Sequence, residues 1–191
     1  MGKTIIATVI TVLVSSLCFC QNLETRRHLL GGSATISPGF QQSNPDMNIY
    51  VHGFAYFYPE PKVSLNGEVY WYTGAQEQET LLAENSTLVF GPNYHFLKDG
   101  PLDPHIGIMP AISLVSAIDR TTSQPSVGAY SLVPLVALNA GVRYHFMKWF
   151  NVFANARYMM GTLTENYPKA LSMNEWRISF GLGFNVYSSK E

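Results

Sequence analysis

Trp176-Arg-Ile-Ser-Phe-Gly-Leu-Gly-Phe-Asn-Val186, near the C-terminus, alternates large apolar side chains with small or polar ones. The apolar residues recur in steps of two, and Arg, Ser, Gly, Gly and Asn stand between them. Successive side chains of a β-strand point to opposite faces, so this stretch predicts a strand with one apolar and one polar face. In a soluble sandwich the apolar face would meet a core. In a membrane barrel it meets lipid, and the polar face lines the lumen.

The same alternation recurs along the rest of the chain. Two upstream stretches, 136–146 and 150–160, repeat it, and Met147–Trp149 between them is typical of a hairpin turn. Other candidate strands share a length close to the ~9–11 residues that cross a tilted bilayer. They are 28–37, 47–58, 63–73, 87–97 and 104–117.

The connections between these strands alternate between short and long. The short ones are 59–61, 98–103 and 147–149, and the longer polar ones are 38–46, 74–85, 119–128 and 164–173. This rhythm predicts an all-β fold, a transmembrane up-and-down antiparallel β-barrel of about eight strands with short periplasmic turns and longer outside loops. Pro92, Pro110 and Pro134 fall inside consecutive predicted strands, where a closed barrel has no edge to place them. They indicate either β-bulges or displaced strand boundaries.

Composition favours the membrane. Apolar residues make up 47% of the chain and charged residues only 13%, whereas soluble domains carry roughly 25% charged residues. The net charge of −1 and the lack of a basic run exclude a nucleic-acid surface.

The N-terminus predicts export. Lys3 precedes an apolar stretch, Thr4–Leu17, that is short for a spanning helix and typical of a signal peptide. We therefore expect residues 1–20 to be a cleaved signal peptide and 21–191 to be the barrel domain. A retained signal anchor or a lipid on Cys18 or Cys20 is the alternative. Both cysteines lie in this segment, so the mature chain would have no thiol for a disulfide, a metal or a nucleophile.

Several charged residues fall on predicted lumen faces, and they form the candidate site: Glu68, Arg143, Arg157, Arg177 and Glu175. A barrel of about eight strands has an interior just wide enough to be filled by side chains. Charges there must be paired, because an unpaired buried charge is costly. The set predicts an ion-pair plug, and the alternative is a gate or narrow ion path lined by arginine.

No motif indicates catalysis, a cofactor or a metal. His52, His95, His105 and His145 are scattered over four strands without metal-ligand spacing. Lipid A-modifying barrel enzymes need a hydroxyl beside a histidine at the outer rim. Ser113, near that rim, has no histidine close in sequence.

Four stretches resemble small outer-membrane barrels of the OmpA/OmpX type. They are Asp103-Pro-His-Ile-Gly-Ile-Met-Pro-Ala, Gly141-Val-Arg-Tyr-His-Phe, Phe153-Ala-Asn-Ala-Arg-Tyr and Gly181-Leu-Gly-Phe-Asn-Val. The resemblance implies the outer membrane of a Gram-negative bacterium, insertion by the barrel-assembly machinery, and a barrel without a peptidoglycan-binding domain. One departure is that Tyr187 is followed by Ser-Ser-Lys-Glu, whereas family members often end on an aromatic residue that this machinery reads.

The sequence thus favours a non-enzymatic barrel with a plugged lumen in the outer-membrane lipid bilayer. It would contribute to envelope integrity or present loops 74–85 and 119–128 to a surface partner. The first alternative is a secreted, lipocalin-like barrel that binds a hydrophobic ligand, which would need a charged exterior. The second is a lipid A-modifying enzyme of the outer membrane.

Overall fold

The computed structural model describes residues 26–42, 47–75, 82–119, 124–125, 130–164 and 171–187. The predicted signal peptide lies outside these residues. Within these residues the fold has eight long strands. They are β1 (Leu29–Gln41), β2 (Met47–Glu60), β3 (Val63–Ala75), β4 (Leu82–His95), β5 (Leu102–Asp119), β6 (Ser131–Met147), β7 (Phe150–Met160) and β8 (Glu175–Tyr187).

Every long strand pairs antiparallel with its neighbours in the chain, and β8 returns to pair with β1. The closing pairs include Gly32 with Phe184 and Gly39 with Arg177. Closure removes the sheet edges, whose unpaired N–H and C=O groups could not be left in lipid. The predicted eight-stranded up-and-down barrel is confirmed.

The two faces of the wall differ sharply. Large apolar side chains cover the outside, with Ile108 and Phe180 each 67% exposed. Charged and amide side chains such as Arg157 and Asn155 are buried inside. An apolar exterior around a polar interior is the reverse of a soluble lipid-carrying barrel, and it is the arrangement of a membrane barrel. Among the described residues, no helix has the length and hydropathy needed to cross a bilayer.

Strand lengths differ from the sequence prediction mainly at the outer end. β1 continues to Gln41, so Pro38 lies in a strand and not in the predicted 38–46 loop. β4 begins at Leu82, five residues before the predicted start at Thr87, and takes residues from the 74–85 loop. Backbone pairing sets the end of a strand, and it continues after the lipid-facing alternation has ended. Hydropathy alone therefore underestimates these strands.

The three prolines lie inside strands with no register shift beside them, so the suggested bulges are wrong. A displaced boundary does apply to Pro134, because β6 begins at Ser131 and not at the predicted 136. β4 and β5 keep one register from the Val89–Ala111 pair to the Asn93–Gly107 pair, and the ladder is open between them. Pro92 and Pro110 lie within this interval. Pro134 pairs with Ile112 of β5 on one side. On the side that faces β7, Pro134 lies beyond the end of that strand at Met160.

Candidate functional site: the charged lumen

The lumen pairs the predicted charged residues in three groups, called layers below, and Arg157 of the middle layer stands directly opposite Arg177 of the outer layer on the neighbouring strand. A middle layer contains Glu68 and Arg157, an outer layer contains Glu175 and Arg177, and a periplasmic layer contains Arg143. All five side chains are almost completely buried. Each charge therefore depends on partners supplied by other strands or by its own strand two residues away.

The middle layer is a two-point ion pair across the barrel. Arg157 Nη2 donates to Glu68 Oε1 at 2.7 Å, and Arg157 Nη1 contacts Oε2 of the same carboxylate. His52 Nε2 lies 3.2 Å from Glu68 Oε2, and its ring stacks on Tyr70 with centroids 4.1 Å apart. The planar guanidinium matches the two carboxylate oxygens, which makes this geometry stronger than a single contact.

The outer layer surrounds the carboxylate of Glu175. Arg177 Nε donates to Glu175 Oε2 at 2.7 Å, and Tyr50 and Asn48 donate to the same carboxylate at 2.9 and 2.6 Å. The Arg177 guanidinium lies 4.1 Å from the centroid of the Tyr50 ring. The carboxylate thus receives three donors, and the cation also lies against an aromatic ring.

The periplasmic layer is centred on Asp103, a residue that the sequence interpretation did not include. Arg26 Nη1 donates to Asp103 Oδ1 at 2.9 Å, and Tyr58 donates to Oδ2. Arg143 donates to the Tyr58 hydroxyl at 2.9 Å and lies 3.8 Å from Asp103. Arg143 therefore belongs with Asp103, separate from Glu68. The alternation along β5 places Asp103 on the lumen face, so the sequence held a signal for it.

Arg26 closes the periplasmic end of the lumen. Besides Asp103, it donates to the backbone carbonyls of Leu97, Gly100 and Leu102 at 2.6, 2.9 and 2.8 Å. It is fully buried. Because it precedes β1, no alternating pattern could have assigned it to the interior.

The outer mouth is covered by an apolar cluster. Thr162–Leu163 pairs with Leu171–Ser172 to form a small hairpin between β7 and β8. The buried cluster beneath it consists of Leu82, Val115, Val133, Leu135, Leu163, Leu171 and Met173. The predicted outside loop 164–173 is therefore wrong at its C-terminal end, because Leu171 and Met173 pack into the barrel. Residues 165–170 lie outside the described residues.

Three potential metal ligands meet in the periplasmic layer. Ligand atoms of His95, Asp103 and His105 lie within 4.8 Å of one another. Arg26 already contacts the carboxylate of Asp103, and the Arg143 guanidinium is close by. Two guanidiniums beside one carboxylate repel a further cation at this distance, so the group does not fit a metal ion.

A hydroxyl, an imidazole and a carboxylate form a chain in the same layer. His95 Nε2 lies 2.8 Å from Ser64 Oγ, and His95 Nδ1 lies 2.7 Å from Asp103 Oδ1. This order of contacts is that of a Ser-His-Asp triad. All three side chains are fully buried. They come from β3, β4 and β5, so sequence spacing did not indicate them. Ser113, near the outer rim, contacts Asn85 and Thr87.

No family model matches the chain, and no curated protein matches it. Solved structures do match its fold. The N-terminal β-barrel domain of OprF from Pseudomonas aeruginosa has a TM-score of 0.57 at 16% identity, over 87% of this chain and all of that one. Neisserial surface protein A has a TM-score of 0.58 at 12% identity, over 82% of this chain and 95% of that one.

Both neighbours are small eight-stranded outer-membrane barrels. They confirm the resemblance and the fold predicted from the sequence. The predicted localisation in the outer membrane of a Gram-negative bacterium agrees with the apolar outer wall and with both neighbours.

Proposed function

We propose that this chain is a non-conducting outer-membrane barrel whose lumen is plugged by its own side chains and carries out no reaction. The observation that carries the proposal is the layered pairing of the lumen arginines. Arg143, Arg157 and Arg177 are each at most 2% exposed, and each has a carboxylate within 3.8 Å. A hydrated ion path would leave such groups exposed to water.

Conductance in a planar bilayer tests the plug. We expect the unmodified protein to give no stable channel steps. The Glu68→Ala variant removes both acceptors of the Arg157 fork and leaves that cation to recruit water. We therefore expect transient leaks from this variant. Glu60→Ala is the matched control, because the Glu60 side chain is 60% exposed next to the β2–β3 turn and its ion pair, with Arg27, is at the surface. Stable channels from the unmodified protein would contradict the plug.

The role proposed for this plugged barrel is to maintain the envelope. A strain that lacks the protein should become more sensitive to detergents and large antibiotics, and the intact chain should restore resistance. The Glu68→Ala variant should restore it less well. Unchanged sensitivity in the deletion strain would refute this role.

During insertion, β8 is the segment proposed to engage the barrel-assembly machinery.

The outside loops are the proposed site for a surface partner. Residues 76–81 of the first loop, 74–85, and most of the second, 119–128, lie outside the described residues. The first is acidic, so a partner with a basic surface is the occupant to test. Exchange of residues 76–81, between β3 and β4, for a neutral Gly/Ser segment should abolish capture of that partner without changing heat-modifiable gel migration.

Lipid ester hydrolysis is a second candidate, and the Ser64–His95–Asp103 contacts favour it. The complete burial of Ser64 opposes it, because a substrate would have to enter the lumen. A fluorophosphonate probe discriminates the two proposals. The non-catalytic barrel should not be labelled, whereas labelling that disappears in Ser64→Ala would favour the hydrolase. Ser179→Ala, another buried lumen serine, is the matched control.

A further inference from the structure

The chain makes a tight turn just before β1, and this turn directs Arg26 into the periplasmic mouth of the lumen. The Leu29 N–H donates to the Arg26 carbonyl at 3.0 Å, and His28 between them has a φ of 63°. This left-handed backbone is uncommon for a residue other than glycine, so the turn is held in place against a local preference. Its result is that Arg26 is fully buried, while the next residue, Arg27, stays at the surface.

Arg26 is the one fixed cation of the periplasmic layer that lies outside a strand. Its terminal nitrogens donate to three backbone carbonyls around the β4–β5 turn and to the Asp103 carboxylate. Asp103 and Arg143 lie in β5 and β6, which pair with neighbouring strands on both sides. Residues 26–28 therefore form a strap across the mouth, and the strap can leave without breaking the sheet.

Three buried histidines surround the carboxylate that holds the strap. His95 Nδ1 lies 2.7 Å from Asp103 Oδ1, and His145 Nε2 lies 3.9 Å from Oδ2. His105 Nδ1 lies 3.2 Å from the Asp103 carbonyl oxygen, and its ring centroid is 5.2 Å from that of His95. All three imidazoles are at most 1% exposed. A proton that any of them takes up therefore adds a charge that water does not screen.

The layer has more positive than negative charge even when its histidines are neutral. Within the described residues, its fixed cations are Arg26 and Arg143, and its one carboxylate is Asp103. The titratable and charged side chains that face one another there come from the strap, β2, β4, β5 and β6. They are Arg26, Tyr56, Tyr58, His95, Asp103, His105, Arg143 and His145. Each proton added to an imidazole places a further positive charge beside two guanidiniums.

Protonation of the histidines and withdrawal of the strap favour each other. While Arg26 occupies the mouth, its guanidinium opposes the charging of the imidazoles. When Arg26 leaves, one buried cation is gone and water reaches the imidazoles, so they take up protons more readily. The withdrawn state therefore binds more protons than the tucked state, and a fall in pH shifts the equilibrium towards withdrawal. Histidine is the side chain whose ordinary titration lies nearest to neutral pH.

We propose that the strap is an acid-released latch, in which charging of His95, His105 and His145 expels Arg26 from the periplasmic mouth. Release gives the N-terminal segment to the periplasm and leaves the strands in place. The ion pairs of Glu68 and Glu175 belong to the other two layers and keep their partners. The latch therefore does not depend on whether the lumen conducts.

Hydrogen exchange of residues 97–102 tests the latch, because Arg26 holds three carbonyls of this segment. The full mature barrel in lipid nanodiscs is measured by mass spectrometry at about pH 7.5 and about pH 4.5, on either side of the ordinary titration of histidine. Rates are corrected for the intrinsic pH dependence of exchange. In the unmodified protein, protection of this segment should fall by at least about tenfold at the lower pH. Protection of β7 should not change, because β7 does not contact the strap.

The triple variant His95→Gln, His105→Gln and His145→Gln removes the proposed sensor. It should keep residues 97–102 equally protected at both pH values. The matched controls are histidines outside the layer. His52→Gln lies beside Glu68 in the middle layer, and His28→Asn, which tolerates the left-handed turn, lies against Phe57. Both controls should lose protection in acid as the unmodified protein does.

Arg26→Gln covers the case in which the triple variant does not fold, because this residue lies outside the strands. It should show weak protection of residues 97–102 at both pH values, since no cation remains to be expelled. Heat-modifiable migration identifies the folded variants. The proposal is overturned if the unmodified protein keeps its protection in acid or if Arg26→Gln still responds to pH. It is also overturned if a folded triple variant still loses protection or if either control no longer does.

Discussion

Removal of the Glu68 carboxylate should destabilise the barrel strongly, because Arg157 has its two terminal nitrogens on that carboxylate and both residues are almost fully buried. Arg157 Nε has no hydrogen bond among the described residues. After Glu68→Ala the cation therefore loses its only carboxylate in this layer. Loss of one partner of a buried ion pair typically costs about 3–5 kcal/mol. At about 1.4 kcal/mol per decade, this corresponds to roughly a 10²–10⁴-fold change in the unfolding equilibrium.

Urea unfolding in lipid vesicles measures this change. Trp71, Trp149 and Trp176 all face outward and are between 47% and 63% exposed, so their fluorescence follows the release of the wall from lipid. The control is Glu60→Ala at the exposed Arg27–Glu60 contact of 3.4 Å, where we expect a change of at most about 1 kcal/mol.

The double variant Glu68→Leu with Arg157→Leu separates pairing from packing. It removes both charges together, so we expect it to be more stable than Glu68→Ala alone. The reasoning is refuted if Glu68→Ala costs no more than the surface control. It is also refuted if the double variant loses as much unfolding free energy as Glu68→Leu and Arg157→Leu lose separately, added together.

Three further changes test other parts of the wall and lumen. Arg26→Ala should speed hydrogen exchange over residues 97–102, because the carbonyls of Leu97, Gly100 and Leu102 lose their donor. Unchanged exchange would show that Arg26 does not hold this segment. The double variant Ser33→Ala with Ser37→Ala should lower the free energy of unfolding by about 1–3 kcal/mol, and a loss below about 0.5 kcal/mol would mean that backbone pairing compensates. Gly31→Ala should prevent recovery of the heat-modifiable band on refolding, because the added Cβ would lie 2.7 Å from the Phe184 carbonyl oxygen. Gly67→Ala is the control, because the Cβ added there would meet nothing closer than 3.8 Å. Equal recovery of both variants would contradict this prediction.

Much of the fold could be predicted from local pattern. The alternation in Trp176–Val186 places apolar side chains on one face of β8 because strand geometry has a period of two, whatever the neighbours are. The alternating lengths of the connections predicted an even, closed meander. The predicted end of β1 and the predicted start of β4 were wrong, because pairing with the adjacent strands, and not contact with lipid, holds the residues there in the sheet.

The candidate site was only partly accessible to this reasoning. Glu68 and Arg157 could be placed on the lumen face, but which arginine meets which carboxylate depends on the stagger between strands. Arg143 contacts the Asp103 layer for that reason. Arg26 enters the lumen from outside any strand, and Ser64 meets His95 only because β3 and β4 are adjacent.

The sequence by itself determined the class of protein, since hydropathy alternation and strand length follow from the geometry of single strands and the thickness of a bilayer. Tertiary structure alone decided the pairing of the buried charges and the meaning of the prolines. Pro92 and Pro110 are far apart in the chain, and each alone would be one lost donor. Their register across one seam places the two losses side by side in one interruption of the β4–β5 ladder, and register is a property of two strands together.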